Sequence, residues 1–189
     1  MNLLDRLLRF RSTLPVVRDW IERTLEDHKA EAVPVISFGY RRLEEVYPVD
    51  LQSKAKAVVV AGKVPFPPLS RMGLPEFSPM EKMDKAGITF LDTFFVNRRD
   101  QTESLFFHEL VHVVQWERLG MDNFLTAYAL GVMQSGYRQS PLEKTAYFLQ
   151  DNFNRGALPM DVMERIHRET DAIWKDVLGL ISKGDITFN

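Results

Sequence analysis

Residues Ser104 to Gly120 read SLFFHELVHVVQWERLG. Leu105, Phe106, Leu110, Val111 and Val114 recur at the three- and four-residue spacing of a helix, and their density predicts one buried on most sides. His108, Glu109 and His112 are set into that apolar surface. Two histidines four positions apart lie one turn from each other on a single face, so both imidazoles reach one ion. Glu109 is rotated by about 100° from His108, which keeps its carboxylate out of the ligand set but beside a water on the metal, where a general base belongs. Zinc suits imidazole nitrogen, and three protein ligands with one open position describe a hydrolytic site. The opposing reading makes these core histidines bonded to carbonyls, which requires several buried polar groups to be satisfied at once.

Working outward, the chain has 189 residues, 45% of them hydrophobic and 26% charged, with a formal net charge of -2. One domain over residues 1–189 with its own core is expected, and nothing in the charge calls for a nucleic-acid partner. There is no cysteine, so disulfides and thiolate zinc sites are excluded and a metal must be held by His, Asp or Glu. The start, MNLLDRLLRFRSTLPVVRDW, is cut by Asp5, Arg6, Arg9 and Arg11. It offers no apolar core for a signal peptide. No apolar run approaches the roughly 20 residues of a membrane span; the expected location is the cytoplasm.

An amphipathic helical segment is expected over 1–32, its periodicity clear from Leu14 to about Ala30 in Val16, Val17, Trp20, Ile21 and Leu25. Val33 to Phe38 is short and β-branched, Arg41 to Val46 suits a helical turn or two, and Ala55 to Ala61 suits either a buried strand or a helix end. Five prolines between Pro65 and Pro79 predict a long surface loop, either one that covers a cleft or a plain structural loop. Ile88 to Asn97, ITFLDTFFVN, predicts one ten-residue strand, whose edge a peptide could extend as a further strand. The metal-motif helix is expected to close at Gly120, with further helices over Asn123 to Gly136, Ser140 to Phe153 and about 159–183. The expected fold is α+β: a small mixed sheet packed against the HExxH helix, with the last third helical.

A catalytic zinc site needs a third ligand, and no histidine follows His112 until His167. The metzincin extension is therefore absent. Glu143, 31 positions on (143 minus 112) at the start of a helix, is the preferred carboxylate, with Asp151 and Glu117 in reserve. A second reading of Glu143 stays open, because Ser140-x-x-Glu143 is also the pattern of a capping box. Tyr128, Tyr137 and Tyr147 are candidate oxyanion donors, with Tyr137 preferred for its place in the loop before Glu143. His28 and His167 are expected at the surface. Metal affinity is expected to fall below roughly pH 6 as the ligand histidines protonate.

The stretch HELVH followed by a distant glutamate resembles the gluzincins, the zinc metallopeptidases with HExxH plus Glu. The longer pattern GITF, FFHELVHVVQWERLG, FLTAY and GYRQSPLEKTAY, over about Ala86 to Tyr147, is similar to small bacterial zincin-like domains. The resemblance implies His108, His112 and Glu143 as zinc ligands, Glu109 as general base, and a peptide or protein substrate. One position departs from the family: an aspartate that often stands four residues after the glutamate, orienting a histidine, is here Tyr147. The partner of that histidine is thus unassigned. A different class is also compatible with the resemblance, an inactive interaction module whose metal is structural or lost.

Overall fold

A computed structural model of the chain describes residues 3–183. It is α+β, about 66% helical with a four-stranded mixed sheet. Helix α1 (Leu3–Asp27) leads into β1 (Val33–Pro34), a 3-10 turn, and the short helices α2 (Arg41–Glu44) and α3 (Val49–Lys54). Strand β2 (Lys56–Val60) follows, resolving the Ala55 to Ala61 ambiguity in favour of strand. After the proline-rich segment and α4 (Ser78–Lys82) come β3 (Gly87–Phe90) and β4 (Thr93–Asn97), then α5 (Glu103–Ser135), α6 (Pro141–Arg155) and α7 (Val162–Lys183).

The strand order is β1-β2-β4-β3, with β2 and β4 parallel and the outer pairs antiparallel. Alternation sorts the side chains of β4 between two cores. Phe94 and Val96 join Phe106, Leu110 and Val111 of α5, whereas Phe95 joins Val17 and Ile21 of α1. Covered on both faces, β4 reads as the continuous apolar run FFV rather than an alternating one. Full burial of Phe94 or Phe95 stabilises the sheet by about 1.5–3 kcal/mol each.

One expectation is corrected here. The ten residues from Ile88 form not one strand but a hairpin, because Leu91 takes a left-handed backbone (φ 56°) and the chain reverses through Leu91-Asp92. Nothing in Leu-Asp announces that turn, which asparagine and glycine usually supply. Helix α1 lies inside the helical segment expected over 1–32, starting by Leu3, upstream of the periodicity read from Leu14, and runs through Pro15. A proline can open a helix, but the apolar spacing continues upstream of it, where Leu7 and Phe10 are buried.

The proline-rich segment is turned inward more than a surface loop would be. Leu69, Leu74, Phe77 and Met80 are buried, and the Ser70 hydroxyl donates to Glu81 Oε2 at 2.8 Å, tying the loop to α4. Helix α5 is broken at Gly120 (φ 71°, ψ 171°), so the stop expected there separates two helical runs. No described helix is long and apolar enough to cross a membrane.

Candidate metal centre

Helix α5 starts at Thr102, whose side chain accepts from the Leu105 amide at 3.2 Å, and its apolar face lies against the sheet. That fixes the direction of the polar residues. His108, Glu109 and His112 are only 4%, 3% and 5% exposed. Glu143 comes from the first turn of α6, and Gly131 permits the close crossing: a Cβ there would stand 2.8 Å from Pro141 Cδ.

The Nε2 atoms of His108 and His112 face each other at 3.1 Å, and each lies 3.5 Å from Glu143 Oε2. The outward nitrogens are held by glutamines. His112 Nδ1 is 2.8 Å from Gln115 Oε1, and His108 Nδ1 is 3.1 Å from Gln150 Oε1. Gln115 Nε2 donates to the Leu142 carbonyl and Gln150 Nε2 to the Ser104 carbonyl, which sets the amide orientation. Both Nδ1 atoms therefore carry the hydrogen, and both Nε2 lone pairs point inward. Two lone pairs and a carboxylate oxygen converge on one point, and Glu143 Oε2 is buried without a donor. Such a cluster repels itself unless a proton or a cation sits among the three atoms. Donors about 2.0–2.1 Å from a tetrahedral zinc stand about 3.3–3.4 Å apart, close to the spacings found. His108, His112 and Glu143 thus form a buried group that could hold a metal ion.

The capping-box reading of Glu143 is not realised. Ser140 Oγ is buried with no hydrogen-bond partner, and the Glu143 carboxylate turns toward the histidines instead. Its other oxygen, Oε1, accepts from the Tyr128 hydroxyl at 2.7 Å. That use of Tyr128 removes it from the candidate oxyanion donors. Tyr147 packs its ring on His108, centroids 4.6 Å apart, and its hydroxyl is a hydrogen-bond neighbour of Tyr137, which lines the cavity beside the metal group. Glu117 and Asp151 are exposed and outside the cluster, while His28 and His167 are half-buried rather than exposed.

Glu109 is held on the sheet side. Its Oε2 accepts from Thr89 Oγ1 at 2.6 Å. Burial is the largest influence on its carboxyl and raises its pKa, with the two histidines and Thr89 opposing. Gly87 gives the carboxylate its room: a Cβ there would overlap Glu109 Oε1 and stand 2.9 Å from Cδ. Gly87→Ala is therefore expected to lower stability by about 1–3 kcal/mol, the usual scale of overpacking, and to displace the carboxylate while the metal stays bound. Denaturant unfolding alongside metal analysis checks this; unchanged stability would mean the side chain moves aside freely.

Burial pulls the His112 pKa down, but the Glu143 charge outweighs it and leaves His112 raised to about 9. For Glu143, burial acts upward and is overcome by the imidazoles, His112 foremost, which hold its carboxyl well below the usual range. Without metal the raised His112 stabilises the fold in full below the unfolded imidazole value, ~6.5, and that contribution is lost as pH rises through about 9. The competition between proton and metal shifts accordingly. Zinc binding at pH 7 is expected to release about one proton per ion, and affinity to keep rising up to about pH 9, not to level off just above 6. Calorimetric titration in buffers of different ionisation enthalpy measures that release.

Several residues of the site carried no assigned role in the sequence. Gln115 lies three positions after His112 on the same face, a spacing that signals contact. Gln150 occupies the role vacant at Tyr147, one turn further along α6. Thr89 and Gly87 come from β3, and only the tertiary fold brings them to Glu109. Neither the models of known protein families, nor characterised protein sequences, nor solved structures give a match to this chain.

Proposed function

We propose that the protein is a zinc-dependent metallopeptidase of the gluzincin type with a zincin-like fold, cleaving a peptide bond in a peptide or protein substrate. The convergence of two inward Nε2 lone pairs and Glu143 Oε2 at the spacing of a tetrahedral zinc face carries this reading. His108, His112 and Glu143 hold the ion. A zinc bound there would supply Lewis acidity, polarising the scissile carbonyl and lowering the pKa of the attacking water. Glu109 is placed to accept a proton from an attacking water on Oε1, the oxygen that Thr89 leaves free, and would return it to the departing amine. Burial raises its pKa, which favours holding the transferred proton. Tyr137, on the cavity wall, would supply a hydrogen bond to the oxyanion by turning its hydroxyl away from Tyr147, a change that gives up no charged acceptor, unlike that of Tyr128 from Glu143.

The edge position of β3 supports an extended substrate beside the metal, although Trp116 Nε1 already donates to the Thr89 carbonyl at 3.2 Å and leaves the remaining edge groups for pairing. Cleavage of a diverse peptide library by the zinc-loaded protein, lost on chelation and restored by zinc, is the test. Absence of any metal-dependent cleavage overturns the proposal.

The near-complete burial of all three donors favours one other reading, a structural ion in an interaction module. Glu109 speaks against it, since a purely structural site has no use for a second, non-ligating carboxylate held beside the ion at the expense of its own burial. Thermal stability separates the two. A structural ion should be needed for the fold, whereas a catalytic one should shift melting only as far as its binding affinity dictates.

A further inference from the structure

The cavity next to the metal group has a volume of about 90 Å³ and extends away from it between α1 and the proline-rich loop, among Phe10, Val17, Ile21, Phe66 and Phe77. One charged side chain outside the metal site lines it, Lys85. This lysine is 8% exposed, and among the described residues it takes part in no ion pair. Its ammonium donates to the Met80 carbonyl and stands 3.9 Å from the centre of the Phe66 ring. An ammonium has three hydrogens to donate; burial lowers the pKa of Lys85, and the carboxylates of Glu143 and Glu81 oppose this only from beyond ion-pair distance, so no counter-ion touches it. Buried cations are otherwise paired, because taking the charge out of water is costly. A side chain needed only to fill this space would be apolar. An anion arriving in the cavity would complete the pairing, through a charge-assisted hydrogen bond in surroundings that strengthen it.

We propose that Lys85 binds a carboxylate of the peptide substrate, so that the preferred substrate presents a carboxylate together with a bulky apolar side chain to this cavity. The proposal rests on the metallopeptidase reading for the identity of the ligand as a peptide, while the pairing itself depends only on Lys85 and the cavity. Two sources share the chemistry, the α-carboxylate at a peptide's C terminus and an Asp or Glu side chain. Either places an anion on Lys85 while an aliphatic or aromatic group fills the space between α1 and the loop.

The test uses zinc-loaded Glu109→Gln protein, in which peptides bind without turnover, and N-acetylated hexapeptides bearing Phe or Leu. Each is made with a free C terminus and as its amide, and with Glu or Gln at internal positions; binding is read by calorimetry. Loss of about tenfold or more in affinity on amidation identifies the C terminus, and the same loss on Glu to Gln exchange identifies a side chain. Either supports the proposal, provided that Lys85→Met in the same background removes the preference. Lys85→Gln, which keeps a donor for the Met80 carbonyl but not the charge, serves if the methionine variant does not fold. Equal binding of carboxylate and neutral peptides overturns the proposal, as does a preference that survives both Lys85 variants, since the carboxylate would then be seated on zinc. Wild-type cleavage of the same peptides separates the two readings. Carboxylate-selective binding without cleavage removes the peptidase and keeps the Lys85 site, whereas cleavage without carboxylate selectivity does the reverse.

Discussion

Glu109→Gln, fully loaded with zinc, is expected to cleave peptides slower than the wild type by about 10² or more, the scale of a positioned acid–base group, while still holding one zinc per chain. The substitution is close to isosteric, and the amide oxygen still accepts the Thr89 hydroxyl, so the position of the side chain is preserved. None of the three converging atoms belongs to Glu109, so metal occupancy is untouched. What is lost is an oxygen able to hold a proton between attack and departure of the amine. The loss should fall on kcat, with KM little changed, because the group acts in the transition state rather than in binding. Retained zinc with unchanged cleavage would remove Glu109 from the chemistry. A variant that loses its zinc would place Glu109 among the ligands instead, contrary to its direction toward Thr89.

The parts of this molecule legible in its sequence were those decided locally. The α5 helix, its break at Gly120 and the pairing of His108 with His112 follow from spacing along one element, which helical geometry converts directly into direction in space. Gln115 was legible by the same rule. The hairpin at Leu91-Asp92 was not, because its left-handed leucine is imposed by the pairing of β3 with β4 and by the burial of Phe90 and Phe94 on either side, not by any preference of leucine. Helix α1 continues through Pro15, whose local meaning as a helix opener is overridden by the burial of Leu7 and Phe10 in the core, where the Phe10 ring lies 6.0 Å from that of Phe77. Gly87, Thr89 and Lys85 reach the cavity only because β3 is the sheet edge beside α5, a fact of topology that spacing does not carry.

The position of Glu143 joins the two kinds of information, since Ser140-x-x-Glu143 locally specifies a cap and the tertiary structure draws the carboxylate away from it. Glu143→Ala is accordingly expected to weaken zinc binding by more than the roughly 10–100-fold that follows loss of an outer partner of a ligand, because it removes one of three donors and the only negative charge among them. Two further changes occur with it. The Tyr128 hydroxyl loses its acceptor at 2.7 Å, and His112 loses the charge that raises its pKa, so the proton released on zinc binding at pH 7 should largely disappear. Ser140→Ala provides the contrast. Its hydroxyl caps nothing, so substitution should leave zinc affinity unchanged and, in the absence of a lost hydrogen bond, cost far less than the ~1 kcal/mol typical of removing a working cap. Zinc competition against a chromogenic chelator, run on both variants at pH 7, measures the difference. Equal affinity in wild type and Glu143→Ala would return Glu143 to a capping role and leave the two histidines without their carboxylate. Loss of affinity confined to Glu143→Ala would fix the convergence of α5 and α6 as the feature that makes the metal site.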